Sequence, residues 1–237
     1  MQDVLLDVAI EEAGYEPGNP KVEQILFQIR SGGLTGLIGP NGAGKSTTIK
    51  AVLGLLPEVK GSIAFSERNG RSGTYAYIPE QPVYYDTLTL WEHLSLAAAV
   101  YEMDERELES AGNRLLEKFR MSDARDLLPG GFSKGMKQKM MLMIGFLRKP
   151  DVYIVDEPFV GLDPRATHDF LELLEEERER GAGILLCTHV LDTAERICSD
   201  FLMISEGSLA ASGTMKELAL KAGMPGGTLF ECFNRLT

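Results

Sequence analysis

The chain has 237 residues and a formal net charge of -11 at pH 7, from 24 Lys and Arg against 35 Asp and Glu. A surface of that sign repels nucleic acid and anionic lipid on average, so no nucleic-acid partner is expected, and any phosphate site has to be local, built from backbone amides and a few lysines. With 44% hydrophobic residues, a chain of this length buries a full core without disulfides or structural metal, as one α/β domain or one domain with an inserted subdomain.

In chain order, residues 4–10 and 22–29 read as strands joined by a polar Gly/Pro stretch over 14–20. A short apolar run, Leu34–Ile38, enters a glycine-rich loop at Gly39, and a helical pattern continues to about Leu56, where Pro57 stops it. Strand-like pieces at 62–66 and 74–78 lead to Pro79, and residues 88–128 are helical throughout, which predicts an all-helical insert. Ser133 predicts the N-cap of a further helix, with Met136, Met140, Met143, Ile144 and Leu147 on its core face. Arg148 and Lys149 suit its C-terminal dipole, and Pro150 ends it.

Residues 152–155 are uninterruptedly apolar, as a strand buried on both faces should be. A helix over 165–180, a strand over 184–187, a helix from Val190 and strand residues near 201–204 continue the alternation. Such alternation predicts a mostly parallel sheet with helices on both faces. The acidic run 175–179 reads as a solvated helix face, and 215–237 as a short helix with a tail.

Cys187, Cys198 and Cys232 form no CxxC pair, and His93, His168 and His189 lack metal-ligand spacing with them, so all three cysteines read as free thiols in apolar surroundings. The chain opens without a basic region followed by a long apolar run, so no signal peptide is expected. The longest apolar runs, near 94–101 and 140–147, fall short of the roughly 18 residues that cross a bilayer, so a membrane role would need another chain.

The segment Gly39-Pro40-Asn41-Gly42-Ala43-Gly44-Lys45-Ser46 has the spacing of a phosphate-binding loop. Its glycines let successive N–H groups turn inward as an anion nest at a helix N-terminus. Lys45 is placed for the β- and γ-phosphates and the Ser46 hydroxyl for Mg²⁺. The second half of such a site is an acid at the end of a buried strand, and Asp156 and Glu157 follow residues 152–155. Asp156 is the candidate for holding Mg²⁺, usually through water, and Glu157 for orienting or deprotonating the attacking water.

The loop 39–47 (to Thr47), the run Asp156-Glu157-Pro158, the following Gly161-Leu162-Asp163-Pro164, and Thr188-His189 together resemble the ABC ATPases over nearly the whole chain. The resemblance implies an α/β fold: a P-loop ATPase core with a mostly parallel sheet, an N-terminal antiparallel β subdomain and an all-helical insert. One nucleotide-binding domain would span 1–237, with the core in 1–80 and 150–213, the helical signature subdomain in 81–149, and a C-terminal helix and tail in 214–237. It also implies roles for single residues. Gln81 matches a glutamine that senses Mg²⁺, the attacking water and the membrane partner, and His189 a histidine on the γ-phosphate. Asp163 matches an aspartate that communicates across a dimer, and Tyr15 an aromatic residue stacked on adenine. Read without the family, Tyr15 is an ordinary loop tyrosine and His189 a core histidine.

The signature segment departs from the usual Leu-Ser-Gly-Gly-Gln, reading Phe132-Ser133-Lys134-Gly135-Met136. Ser133 and Gly135 keep a hydroxyl and open amides at a helix N-terminus, while Lys134 replaces one glycine. In this family the signature completes the site of a second nucleotide-binding subunit, so a homodimer binding ATP and Mg²⁺ is expected. The segments 132–138 and 156–164 are similar to those of Ecs-type exporter ATPases. That similarity implies an ATPase at the cytoplasmic face of a bacterial membrane, working with a membrane-spanning permease subunit, its coupling surface near 82–90 with Tyr84 and Tyr85. The alternative is a soluble ABC ATPase that remodels or assembles a cytosolic complex.

Overall fold

The computed structural model describes residues 3–67 and 73–237. Strands β1 (Val4–Glu16), β2 (Asn19–Arg30) and β4 (Glu58–Phe65) form an antiparallel sheet in the order β2-β1-β4. The β1–β2 hairpin is longer than residues 4–10 and 22–29: pairing runs on to Glu16↔Asn19 and leaves Pro17 and Gly18 as the turn. Against β4 the register shifts between Ile10 and Glu12, and there the buried side of β1 passes from Val8 and Ile10 to Ala13, which hides the strand end from a period-two reading.

The second sheet has the order β5-β6-β7-β3-β8-β9, from β3 (Leu34–Ile38), β5 (Tyr75–Ile78), β6 (Val152–Asp156), β7 (Gly183–Cys187), β8 (Asp200–Ser205) and β9 (Ser208–Thr214). Neighbours are parallel except β8 and β9, which form an antiparallel hairpin. Every residue of β3, β6 and β7 is buried, which is why these strands are unbroken apolar runs. Their carboxyl ends lie level, since Asp156 pairs with Cys187 and Leu37 with the same residue from the other side. Ligands of parallel α/β sheets bind along that edge.

Helix α1 (Lys45–Val52) ends before Leu56 because Gly54 takes a left-handed conformation at φ 69, which breaks the helical path and turns Leu55 out to solvent. The insert holds α2 (Leu90–Val100) and α3 (Glu105–Phe119), each opened by a capping box, Thr89 with Glu92 and Asp104 with Glu107. Helix α4 (Lys134–Phe146) buries more of its circumference than one methionine stripe. Met140, Met143 and Leu147 are buried as expected and Met136 and Ile144 are half-buried, but Met141, Leu142 and Phe146 are buried too. The cause is that α4 packs on β5 and on α2, α3 and α5 (Pro164–Glu179) together.

The insert is tied to α5 by charge. Arg120 meets Asp169 through two nitrogens at 2.7 and 3.3 Å, and Lys118 reaches Glu172 at 3.2 Å and Glu176 at 3.0 Å. The acidic run 175–179 is therefore more than a solvated face: Glu177 is 2% exposed and holds Arg180 Nε at 2.6 Å. After β9 come α7 (Met215–Lys221) and α8 (Leu229–Leu236), and the expected tail thus contains a second helix. Thr228 and Glu231 cap it, Leu229 and Cys232 bury against α6 (Leu191–Ile197), and the Leu229 N–H donates to Glu195 at 2.8 Å. All three cysteines are free, with Cys187 and Cys232 buried and Cys198 half-buried. Among the described residues no helix is long and apolar enough to cross a membrane.

Candidate functional site

Where β3 ends, the chain turns through Gly39–Gly44 and starts α1 at Lys45. No side chain caps α1 and no acidic residue occupies its first turn, so its leading amides stay available to an anion. Lys45 is buried and donates to the carbonyls of Gly39 at 2.7 Å and Pro40 at 3.1 Å, which pins the loop around its ammonium. Above it opens a cavity of about 370 Å³. The loop contributes Asn41, Gly42, Gly44, Lys45, Ser46 and Thr47 to its wall; Ala43 is buried behind them.

Across the cavity stand Asp156, Glu157 and His189. Asp156 closes β6 and is nearly inaccessible; burial pushes its carboxyl above the usual range, and the nearby Glu157 and Glu80 charges add to that, against a hydrogen bond from Cys187 and the charge of Lys45. Burial likewise pushes Tyr77, behind Asp156, up to about 12. Glu157 sits in the left-handed region at φ 47, a strained placement for a residue with a side chain. The surroundings hold it there: its N–H donates to Cys187 O at 2.9 Å, Thr188 Oγ1 donates to Oε2 at 3.3 Å, and His189 Nδ1 lies 2.8 Å from Oε1. Backbone strain at a residue that three groups fix is the mark of a functional placement.

Tyr15 reaches the wall from the end of β1. Lys50 lies 5.3 Å from its ring centroid and donates to its hydroxyl at 3.2 Å. Partial burial pushes the phenol up, but hydrogen bonds from Thr47 and Lys50 and the Lys50 charge outweigh it and leave the group below its ordinary value. Gln81 is not brought to this cavity. It is exposed, and the wall carries Glu80 instead. Ile78 pairs with Val155, so β5 ends one residue short of the level of Asp156, and Glu80 lies two residues beyond the strand.

Ser133, Gly135 and Asp163 are also absent from the cavity wall and gather elsewhere. Ser133 caps α4, accepting from the Met136 N–H at 3.2 Å. A Cβ on Gly135 would stand 2.6 Å from Gly161 O, so this position requires glycine for the helix start to lie against the 161–163 segment. Asp163 caps α5 through the Ala166 N–H at 2.7 Å and meets Lys139 at 3.3 Å; the Ala166 amide, with Lys139, holds its carboxyl below the usual range. Ser133 and Lys134 are exposed. Among the described residues, the cluster His168, Asp169 and Glu172 has the proximity of a metal site, but Arg120 and Lys118 already occupy both of its carboxylates.

A family model described as ABC transporter matches residues 22–160, which span the phosphate-binding loop, the insert and Asp156-Glu157. The chain belongs to the ABC transporter family, as an ATP-binding subunit. It is 49% identical over 229 residues to the ABC transporter ATP-binding protein YthP of Bacillus subtilis (strain 168), covering 97% of this chain and 95% of that protein. It is 42% identical over 239 residues to the ABC-type transporter ATP-binding protein EcsA of the same organism, covering 98% and 96%. A solved structure of an ATP-binding subunit of an ABC transporter superposes with a TM-score of 0.92 at 43% identity, over 98% of this subunit and 99% of that chain. The ABC ATPase fold expected from the motifs is therefore the fold of this ATP-binding subunit: a mostly parallel core sheet, an antiparallel N-terminal sheet and helices inserted between β5 and β6.

Two residues of the cavity wall, Lys21 and Glu80, have no role in the motif reading, and Thr188, buried behind the wall, has one only as part of the resemblance. The Thr188 hydroxyl tethers Glu157 from beside His189. Lys21 and Glu80 belong to no short pattern and become visible through strand register.

Proposed function

We propose that this subunit hydrolyses ATP, with Mg²⁺, between two copies of the chain and thereby drives a separate membrane-spanning permease subunit in export. One observation carries the reading. The cavity gathers the phosphate loop, Asp156, Glu157 and His189, while Ser133, Gly135 and Asp163 lie outside it on an accessible face. A site with its loop on one molecule and its signature elsewhere is completed by a second molecule.

The residues fit a magnesium ion. Ser46 offers an exposed hydroxyl and Asp156 a buried carboxylate whose ionisation burial disfavours, an all-oxygen donor set that suits a hard cation. Glu80 on the same wall offers a further oxygen donor, beside the expected Gln81. When bound, the ion neutralises phosphate charge. Lys45 and the α1 amides grip the phosphates, Tyr15 offers its ring to the base, and Glu157, aimed by Thr188 and His189, accepts a proton from the attacking water. Closure of the dimer follows from contacts that the γ-phosphate makes in the closed state.

The segment 79–88 links this chemistry to an apolar patch. It starts at Glu80 on the cavity and runs out to Val83, 76% exposed, and Tyr85, 61% exposed. The Tyr85 N–H donates to His93 Nε2 at 2.9 Å, and the Leu90 N–H donates to Leu127 O at 3.1 Å, which brings exposed Leu127 and Leu128 alongside. This patch supports docking of the permease. Tyr84 packs inward, with Lys137 Nζ 4.9 Å from its ring.

Glu157→Gln tests the reading. It removes the base and keeps the shape, so turnover is expected to fall about 10²- to 10⁴-fold while equilibrium titration still shows ATP binding. Wild-type turnover in that variant would end the assignment.

A further inference from the structure

The cavity wall contains a cation that the phosphate-loop motif does not supply. Lys21 stands on β2, where the pairs Ala13↔Val22 and Gly14↔Pro20 place it beside the end of β1 that carries Tyr15. Its main chain is stapled to the phosphate loop. A Cβ on Gly44 would stand 2.6 Å from Val22 Cγ1, and a Cβ on Gly207, in the β8–β9 turn at φ 79, would stand 2.5 Å from Lys21 O. Gly207 joins the two elements directly: its N–H donates to Ala43 O at 3.0 Å, and its carbonyl accepts from the Glu23 N–H at 2.8 Å.

The side chain, by contrast, is exposed, and among the described residues its ammonium reaches Asn19 Oδ1 at a long 3.4 Å. Such a contact is readily exchanged for a better one. The electrostatics favour the exchange. Lys45, the other lysine of the wall, already gives two hydrogen bonds to the loop, and Glu80, Asp156 and Glu157 all face the same space. A polyphosphate entering among three carboxylates gains from every cation within reach.

We propose that Lys21 is a nucleotide-binding residue, supplied by the antiparallel sheet, whose ammonium leaves Asn19 for the phosphate–ribose part of a bound nucleoside di- or triphosphate. This deepens the nucleotide reading above and rests on it. Lys21 sits by Tyr15 and Gly44, where the nucleoside joins its phosphates, so its contact is made to ADP and to ATP alike. It stabilises the bound ground state and takes no part in bond breaking.

Titration of the full chain with ADP and with ATP–magnesium, in the wild type, Lys21→Met and Lys21→Arg, tests this. Lys21→Met keeps the stem and removes the charge, and is expected to weaken both nucleotides about fivefold, the upper range for an exposed ion pair. Lys21→Arg is expected to restore most of the loss, and KM is expected to rise by more than kcat falls. The difference between wild type and Lys21→Met should shrink at about 1 M salt, where the screening length is about 3 Å. Wild-type affinity for both nucleotides in Lys21→Met, or a loss confined to kcat, would overturn the assignment. A wild-type chain that binds neither nucleotide would instead overturn the nucleotide reading beneath it.

Discussion

The Lys45 cavity and the Ser133 face are made of the same parts, a loop feeding a helix N-terminus, and they end in opposite conditions. At α1 no side chain satisfies the leading amides, so they are held open towards a space that an anion can fill. At α4 the helix end is finished: Ser133 already accepts from Met136, and the segment packs against Gly161. An uncapped helix start beside a cavity is a binding site in its own right. A capped one on an accessible face acquires a ligand when something is brought to it. The contrast is what the proposed pairing of two chains requires: an open anion site on one molecule and a finished helix end presented outward by the other.

Removing the grip should have the larger effect. In Lys45→Ala the phosphates lose a charged donor and two loop carbonyls lose their partner, so ATP affinity is expected to fall about ten- to hundredfold, read by equilibrium titration. Wild-type affinity there would break the contrast, because the uncapped helix alone would then suffice. Ser133→Asn sharpens it from the other side. Asparagine caps a helix as well as serine does, so α4 should keep its stability. ATP binding by the single chain is expected to stay unchanged while hydrolysis falls about tenfold, the worth of one hydrogen bond to a charged group. A loss of ATP binding in Ser133→Asn would mean that Ser133 serves its own cavity.

The smallest effect concerns Asp156. Its carboxyl titrates above the usual value near 3.9 because it is buried, so the folded chain holds that proton more tightly than the unfolded chain. Protonation thus contributes stability that is present in full below the unfolded value and lost as pH rises through the folded one. Asp156→Asn removes the cost of ionisation. In protein free of nucleotide and divalent cation, Tm at pH 8 is expected to exceed that of the wild type, by a margin that shrinks as pH falls through the raised value. A lower Tm at pH 8 would show that the ionised form is stabilised in the empty cavity.

The parts of the molecule that the sequence made legible are those where one physical demand acts alone. Strands β3, β6 and β7 are buried on both faces and so are plainly apolar, and the glycine spacing of the phosphate loop is required by backbone approach. The hidden parts have competing demands. The register shift between Ile10 and Glu12 breaks the alternation of β1 and hides the far half of the hairpin. Helix α8 has eight residues and depends on Leu229 and Cys232 packing beside α6, a partner remote in sequence. The resemblance places the family's glutamine at Gln81, which is exposed in this structure, while its neighbour Glu80 lines the cavity. Lys21 gains its place through Gly207, more than 180 residues away along the chain, and no local pattern encodes such a contact.

The division of the site between two molecules is tested most directly by the mass of Glu157→Gln in solution, measured by light scattering with and without ATP and magnesium. The expected result is a single chain without ATP and a pair with it, the pair being lost when Ser133→Asn is added to the same variant. A single chain that remains alone while saturated with ATP would contradict the division.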